Sequence, residues 1–230
     1  TAAQDIHFTM WDATPITTNP AAAGVFNGDV RAVMNYRNQW ASIGNPYKTY
    51  GVMLDGGLFK NKWENGYLGA GLNIYKDVAG TTDFGTTKVS LSLSSVLYLD
   101  EKNTGAVGVM GSWAQNSMSS DNLEWDSQFN GQNFDGSLSS NESMAFEGNS
   151  YADFSVGALW AYGTGAKTLS SHDEFSAKAG AAFYHVTRPS SETAFGDVDK
   201  LYSKLAVHAE SFMGISNTKM AFKPKFIAFI

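Results

Sequence analysis

The sequence predicts an all-β chain, a transmembrane antiparallel up-and-down β-barrel, and three observations predict it. Side chains alternate in character with period two over stretches longer than ordinary strands. Charged residues make up 17% of the chain, against 43% hydrophobic and 13% aromatic. No run approaches the roughly 18 to 20 apolar residues that a spanning helix needs, and a closed barrel is the other way to satisfy every backbone group in lipid.

The clearest strand runs from Lys88 to Leu99. Val89, Leu91, Leu93, Leu97 and Leu99 share one face, and Lys88, Ser90, Ser92, Ser94, Val96 and Tyr98 share the other. That second face is too polar for the core of a soluble sandwich and too regular for a loop. At about 3.3 Å per residue the run spans roughly 40 Å, enough to cover most of a tilted bilayer crossing.

Before it, residues 1–28 show no sustained alternation, and Pro15 and Pro20 oppose a long helix or a central strand. They form an irregular N-terminal arm whose small residues from Asn19 to Gly24 suit close packing inside a lumen, and Asn27-Gly28 marks a turn. Thr1-Ala-Ala-Gln4 resembles a mature terminus left by cleavage after small residues.

Residues 29–230 are expected to form the barrel. Val30, Ala32, Met34 and Tyr36 alternate with Arg31, Asn35, Arg37 and Gln39 in the first strand. Tyr50, Val52 and Leu54 oppose Thr49, Gly51 and Asp55 in the second, and Leu68, Ala70, Leu72 and Ile74 oppose Gly69, Gly71 and Asn73 in the third. Beyond the fourth, Val107, Val109 and Trp113 point outward from a fifth, and Phe154, Val156, Ala158, Trp160 and Tyr162 from a sixth. Phe175 to Phe183, Leu205 to Glu210 and Lys219 to Ile230 supply three more, with Pro224 suited to a bulge or an edge. The count is about nine, which an even-stranded bacterial barrel does not allow, so the barrel is expected to be incomplete at the C-terminus.

By these bounds the first, third, fifth and seventh connections hold about 9, 10, 35 and 17 residues, and the others about 7, 5, 11 and 5. Long external loops are therefore expected at 116–150 and 186–202, with the N-terminus periplasmic. Trp40, Trp63, Trp113 and Trp160 read as an interfacial aromatic belt.

Charge and chemistry narrow the function. A net charge of −6 with no basic run opposes nucleic-acid binding, the absence of Cys excludes disulfides and thiolate metal sites, and four His supply no metal centre. His185 with Asp197 or Asp199 is the one arrangement that tempts a catalytic reading, and it lacks an oriented nucleophile and oxyanion donors. Asp121, Glu124 and Asp126 offer oxygen ligands, but not at calcium-loop spacing. No enzyme, cofactor or metal is expected. Inward Arg31, Arg37 and Lys88 either gather anions in a pore or pair with Asp55 and Glu210 to fill the lumen.

Gln4-Asp-Ile-His-Phe8, Thr18-Asn-Pro-Ala-Ala-Ala-Gly24 and Tyr36-Arg-Asn-Gln-Trp40, with Asn133-Phe-Asp135, Tyr151-Ala-Asp-Phe-Ser-Val-Gly-Ala-Leu159 and His185-Val-Thr-Arg-Pro189, resemble the signature of the PorP/SprF family. These are membrane proteins of the type IX secretion and gliding systems. The resemblance spans essentially the whole chain and implies a larger barrel of about 14 strands in the bacterial outer membrane. It implies partners as well: the C-terminal domain of a secreted cargo protein such as an adhesin, type IX or periplasmic peptidoglycan-anchoring components, and outer-membrane lipid.

On that reading the cargo contacts fall at Trp125, Phe129, Phe134, Asp135, Arg188 and Phe195. Asn19, Pro20, Gly24, Arg31 and Arg37 hold the arm in the lumen. The competing reading is a porin or a FadL-like channel for hydrophobic solutes. A soluble β-sandwich is a third, and it requires the apolar faces to bury against each other.

Overall fold

The computed structural model describes residues 11–40, 42, 46–60, 62–79, 84–117, 126–139, 148–163, 175–192, 198–215 and 220–230. The alternating stretches form β1 (Val30–Gln39), β2 (Tyr47–Leu58), β3 (Gly66–Ala79), β4 (Phe84–Tyr98), β5 (Asn103–Ser117), β6 (Asn149–Tyr162) and β7 (Phe175–Tyr184). A short hairpin, β8 (Ser190–Glu192) and β9 (Val198–Lys200), precedes β10 (Lys204–Gly214), β11 (Ala221–Phe222) and β12 (Lys225–Phe229).

All neighbours pair antiparallel, in the order β1-β2-β3-β4-β5-β6-β7-β10 followed by β11 and β12, which lie end to end on β10. The sheet is thus an up-and-down meander of nine strand positions. Among the described residues it is not closed: β1 pairs with β2 alone, and β11 and β12 with β10 alone. No described helix is long and apolar enough to cross a membrane.

The faces follow the alternation. In β4, Leu91 and Leu93 are 63% and 60% exposed while Ser92 and Ser94 between them are 1% and 4%. The same leucines oppose the sandwich, because among the described residues their face meets no second layer. The inward face is concave. The sheet curls far enough that Arg31 of β1 lines one small cavity with Lys178 of β7 and His208 and Glu210 of β10.

The hydrophobic core sits inside this curl, against the arm. Ala21, Ala22 and Val25 pack on Tyr67, Val96, Ala106, Leu159 and Ala161, and Ile16 and Ala23 pack on Met53 with Val33 beside them.

One expectation is narrowed and one changes. β11 and β12 share one register on β10, Phe222 opposite Met213 and Lys225 opposite Glu210, so Pro224 marks an edge strand with no bulge. It forfeits one ladder donor, while its carbonyl accepts from Ser211 N at 3.1 Å. The connections also alternate less than the sequence indicates. Residues 40–46 and 59–65 are equal in length, as are 80–83 and 99–102, because β3 and β4 stay paired up to Ala79 and Phe84 and absorb the expected loop. Unequal pairs begin only at 118–148 against 163–174, and at 185–203 against 215–220.

Candidate functional site

The arm is built for a tight passage. It runs through three single turns, Trp11–Ala13, α1 (Pro15–Thr18) and Pro20–Ala22, with proline starting the second and third, where its fixed φ suits the first helical position. Asn19 caps the last turn by accepting from Ala21 N at 3.0 Å.

Its successive residues step backwards across the strands. Trp11 meets His208 of β10 edge-on at 5.5 Å, and Asp12 binds Lys223 at 3.1 Å and Lys225 at 2.5 Å on the edge strand. Asn19 Nδ2 donates to Ala158 O at 2.8 Å and lies 3.1 Å from His208 Nε2. Ala23 O accepts from Ser94 Oγ at 2.7 Å, Gly24 N donates to Asp55 Oδ2 at 2.9 Å, and Gly24 O accepts from Tyr67 Oη at 3.0 Å.

A belt of small residues makes room for this backbone. Gly57, Gly69, Ser94, Gly108, Gly157, Ala182 and Ala206 stand opposite one another across seven adjacent strands. A Cβ on Gly108 would meet Ala21 backbone at 2.6 Å, and one on Gly24, which holds φ +72, would meet Gly56 O at 2.9 Å. Of the expected arm-supporting residues, Asn19, Pro20 and Gly24 lie in this passage. Arg31 forms a two-point ion pair with Asp55, at 2.8 and 2.7 Å, and stacks on Phe26. Arg37 stands apart, donating to Gln39 Oε1 near the opposite rim.

The charged pairing expected of the inward face holds for Arg31 and Asp55 and is redistributed elsewhere. Lys88 meets Asp153 at 3.6 Å, and Glu210 meets Lys178 at 3.7 Å. Asp12, His208 and Glu210 help line a cavity of about 30 Å³, and Asp12 Oδ1, His208 Nδ1 and Glu210 Oε2 are buried with no hydrogen-bond partner among the described residues. That volume suits about one water, the kind of partner such buried polar atoms use. Burial raises the Asp12 pKa, but hydrogen bonds and charge from Lys225 and Lys223 outweigh it and hold the carboxyl below its ordinary 3.8.

Of the carboxylates the sequence offered His185, Asp197 and the side chain of Asp199 lie outside the described residues; the described acid beside His185 Nδ1, at 3.0 Å, is Asp153. Asp153 is fully buried between Lys88 and His185, and Ser112 Oγ donates to Ser90 Oγ at 2.9 Å nearby. The group is a buried ion cluster. Sequence reading missed Asp153, His208 and Lys178 as partners, since they lie far along the chain from what they touch; their inward parity was the one available signal.

His185 also organises the loop after β7. It holds φ +55 and its carbonyl accepts from Arg188 N at 3.0 Å, while Arg188 Nε donates to Ser203 Oγ at 3.1 Å. The preceding Tyr184 donates from its hydroxyl to Thr17 O at 2.8 Å, which ties this strand end to the arm.

In the connection from β5 to β6, Asp126–Gln128 form a 3-10 turn and Phe129 bridges Phe134. Asn130 Oδ1 accepts from Asn133 N at 2.9 Å, Asp135 N donates to Gln128 O at 2.8 Å, and Gln128 Nε2 donates to Leu138 O at 3.0 Å. This small hairpin holds Phe129 and Phe134 55% and 44% exposed. Asp135 serves the turn itself: its carboxylate accepts from the Ser137 hydroxyl and N–H, which lower its pKa. Trp125, Phe195, Asp121 and Glu124 lie outside the described residues.

The family model for the type IX secretion system membrane protein PorP/SprF matches residues 1–228, and the chain belongs to that family. No curated protein and no solved structure matches the chain.

Proposed function

We propose that this PorP/SprF-family membrane protein is an outer-membrane barrel that binds an exported protein at the cell surface through its connecting loops, with the arm sealing the lumen. The observation that carries the reading is the hairpin at Phe129 and Phe134, where two aromatic side chains are held in the open by a hydrogen-bonded frame. Exposed aromatics on a rigid frame are what a protein interface uses as anchors. Arg188 and the hairpin of β8 and β9 stand at the same rim, after β7.

In this orientation the connections 118–148 and 185–203 face outside and the arm enters from the periplasm. The partner is the C-terminal domain of a secreted protein, and type IX or peptidoglycan-anchoring components approach from the periplasmic side. The lumen argues against a channel, because backbone and paired charges occupy it.

The test is to purify the tagged protein from native outer membrane in mild detergent and identify what accompanies it by mass spectrometry. A secreted protein that accompanies the wild type and is lost from Phe129→Ala/Phe134→Ala supports the reading. A barrel recovered alone that conducts ions in planar bilayers supports the channel instead.

A further inference from the structure

The outward face of the sheet carries very little charge. Outward positions in β1 to β7 and β10 to β12 follow the exposed members of each alternation, and among the described residues two of them are charged, Lys48 and Lys76. The other strand charges, including Arg31, Arg37, Asp55, Lys88, Asp153 and Lys178, have inward parity.

The two outward lysines are neighbours. Lys76 stands directly opposite Tyr50, and Lys48, two residues before Tyr50, stands opposite Val78. That diagonal places their Cβ atoms about 7–8 Å apart, within mutual reach of two long side chains. Neither has an acidic partner within ion-pair distance among the described residues. Both sit at the rim that carries the 118–148 connection, since β2 begins and β3 ends there.

Aromatic side chains frame them. Tyr36 and Tyr50, also outward, lie 5.1 Å apart between ring centroids, and Trp40 and Tyr47 pack edge to face at 5.3 Å. Below them the outward surface is apolar, with Val52, Leu54 and Ile74 exposed. A lysine on a lipid-facing strand costs about 2–4 kcal/mol at the midplane and about 0–1 near the interface, so its ammonium belongs at headgroup depth.

We propose that Lys48 and Lys76 form a binding site for the phosphorylated headgroup of an outer-leaflet glycolipid. Two like charges with no anion between them among the described residues are relieved by a phosphate, which each ammonium can reach. Tyr36, Tyr50 and Trp40 pack beside the sugar at the interfacial level, and acyl chains lie along Val52, Leu54 and Ile74. The rim decides the leaflet: these lysines stand on the side of the long connections, read above as the outside, where the anionic lipid of an outer membrane is a phosphorylated glycolipid. The proposal rests on that orientation and not on cargo binding.

The test compares the wild type with Lys48→Gln/Lys76→Gln and with Lys62→Gln/Lys102→Gln at the opposite rim, each delipidated in detergent and checked for heat-modifiable folding. Native mass spectrometry then follows titration with monophosphorylated lipid A, dephosphorylated lipid A and phosphatidylglycerol. The wild type and the opposite-rim variant are expected to bind the monophosphorylated form alike, and the Lys48/Lys76 variant about tenfold or more weakly, at about 1 kcal/mol per lysine. Lys48→Arg/Lys76→Arg, which keeps the charge, is expected to retain binding. Equal binding by the Gln variant, equal binding of the dephosphorylated form, or equally tight phosphatidylglycerol overturns the site. Co-purification of a secreted protein, read on the same preparations, is expected to be unchanged, so either reading can fail alone.

Discussion

At Gly108 the inward face of β5 meets backbone, because Ala21 lies against it; four residues along the same strand, at Ser112, it meets side chains alone, Ser90 on one side and the Asp153 cluster beyond. The two halves of the lumen share strands and alternation and differ in what fills them. In the arm half, small residues admit a second backbone, and hydrogen bonds to carbonyls and Asp55 satisfy it. In the other half no described arm residue intervenes, and the sheet offsets its own charge by bringing Lys88, Asp153 and His185 together. Inward parity therefore says only that a side chain leaves lipid. Its size says whether it meets a chain segment or another charge.

The sharpest way to break the comparison is to remove the centre of the charged half. Asp153→Ala leaves Lys88 and His185 buried without their shared carboxylate, and the loss of one member of a buried ion pair costs about 3–5 kcal/mol. Urea unfolding of the lipid-reconstituted protein measures it. A cost below about 1 kcal/mol, the range of exposed pairs, would mean that solvent screens this half.

The arm half breaks by size. Gly108→Val drives a side chain into Ala21 backbone, which cannot rotate away, and overpacking costs about 1–3 kcal/mol or more. The arm is expected to leave its passage. The chain contains no cysteine, so a single one introduced at Ala22 reports seating by its labelling rate. The same valine at Gly111, where a Cβ meets nothing nearer than the Phe154 ring at 3.6 Å, is expected to leave labelling unchanged.

A subtler break removes hydrogen bonds and keeps the space. Asn19→Ala deletes the donor to Ala158 O and the partner of His208 Nε2, and leaving a buried imidazole nitrogen unpaired costs about 1–3 kcal/mol. Labelling at Ala22 is expected to rise less than in Gly108→Val, because Gly24, Ala23 and Asp12 still hold the arm.

These residues also show what a single sequence makes legible. Period two gave the strands and their outward faces, because lipid tolerates apolar side chains at every second position and the sequence repeats that demand in each strand. The arm was legible for a related reason: Asn19 to Gly24 carries almost no side-chain bulk and two prolines precede Ala21, a composition that fits a narrow passage and no regular element. The glycine belt was not legible. Gly69, Gly108 and Gly157 line up only once the register of four strands is set, and register is a property of pairing. The partner of His185 was hidden in the same way, 32 residues back along the chain on the neighbouring strand. Loop lengths misled where Ala79 and Phe84 continued the ladder, since nothing in Thr86 or Val78 marks the end of a hairpin.

The smallest effect concerns the clamp at the start of the arm, and its sign follows from Asp12. Lys225 and Lys223 outweigh burial and hold the Asp12 carboxyl below 3.8, so the folded state binds its proton less readily than the unfolded chain. Stability from the clamp is therefore fully present above pH 3.8 and is lost as the pH falls through the lower folded value. Labelling of a cysteine at Thr17 is expected to stay flat from pH 7 to 5 and to rise only at more acid pH, measured with an acid-tolerant thiol reagent. Asp12→Asn is expected to show the raised rate at every pH and no acid limb, while Asp153 stays paired and the far half of the lumen keeps its structure. An acid limb that survives in Asp12→Asn would place the titrating group elsewhere on the inward face. The two halves would then be coupled through Tyr184, whose hydroxyl holds Thr17 beside the His185 cluster.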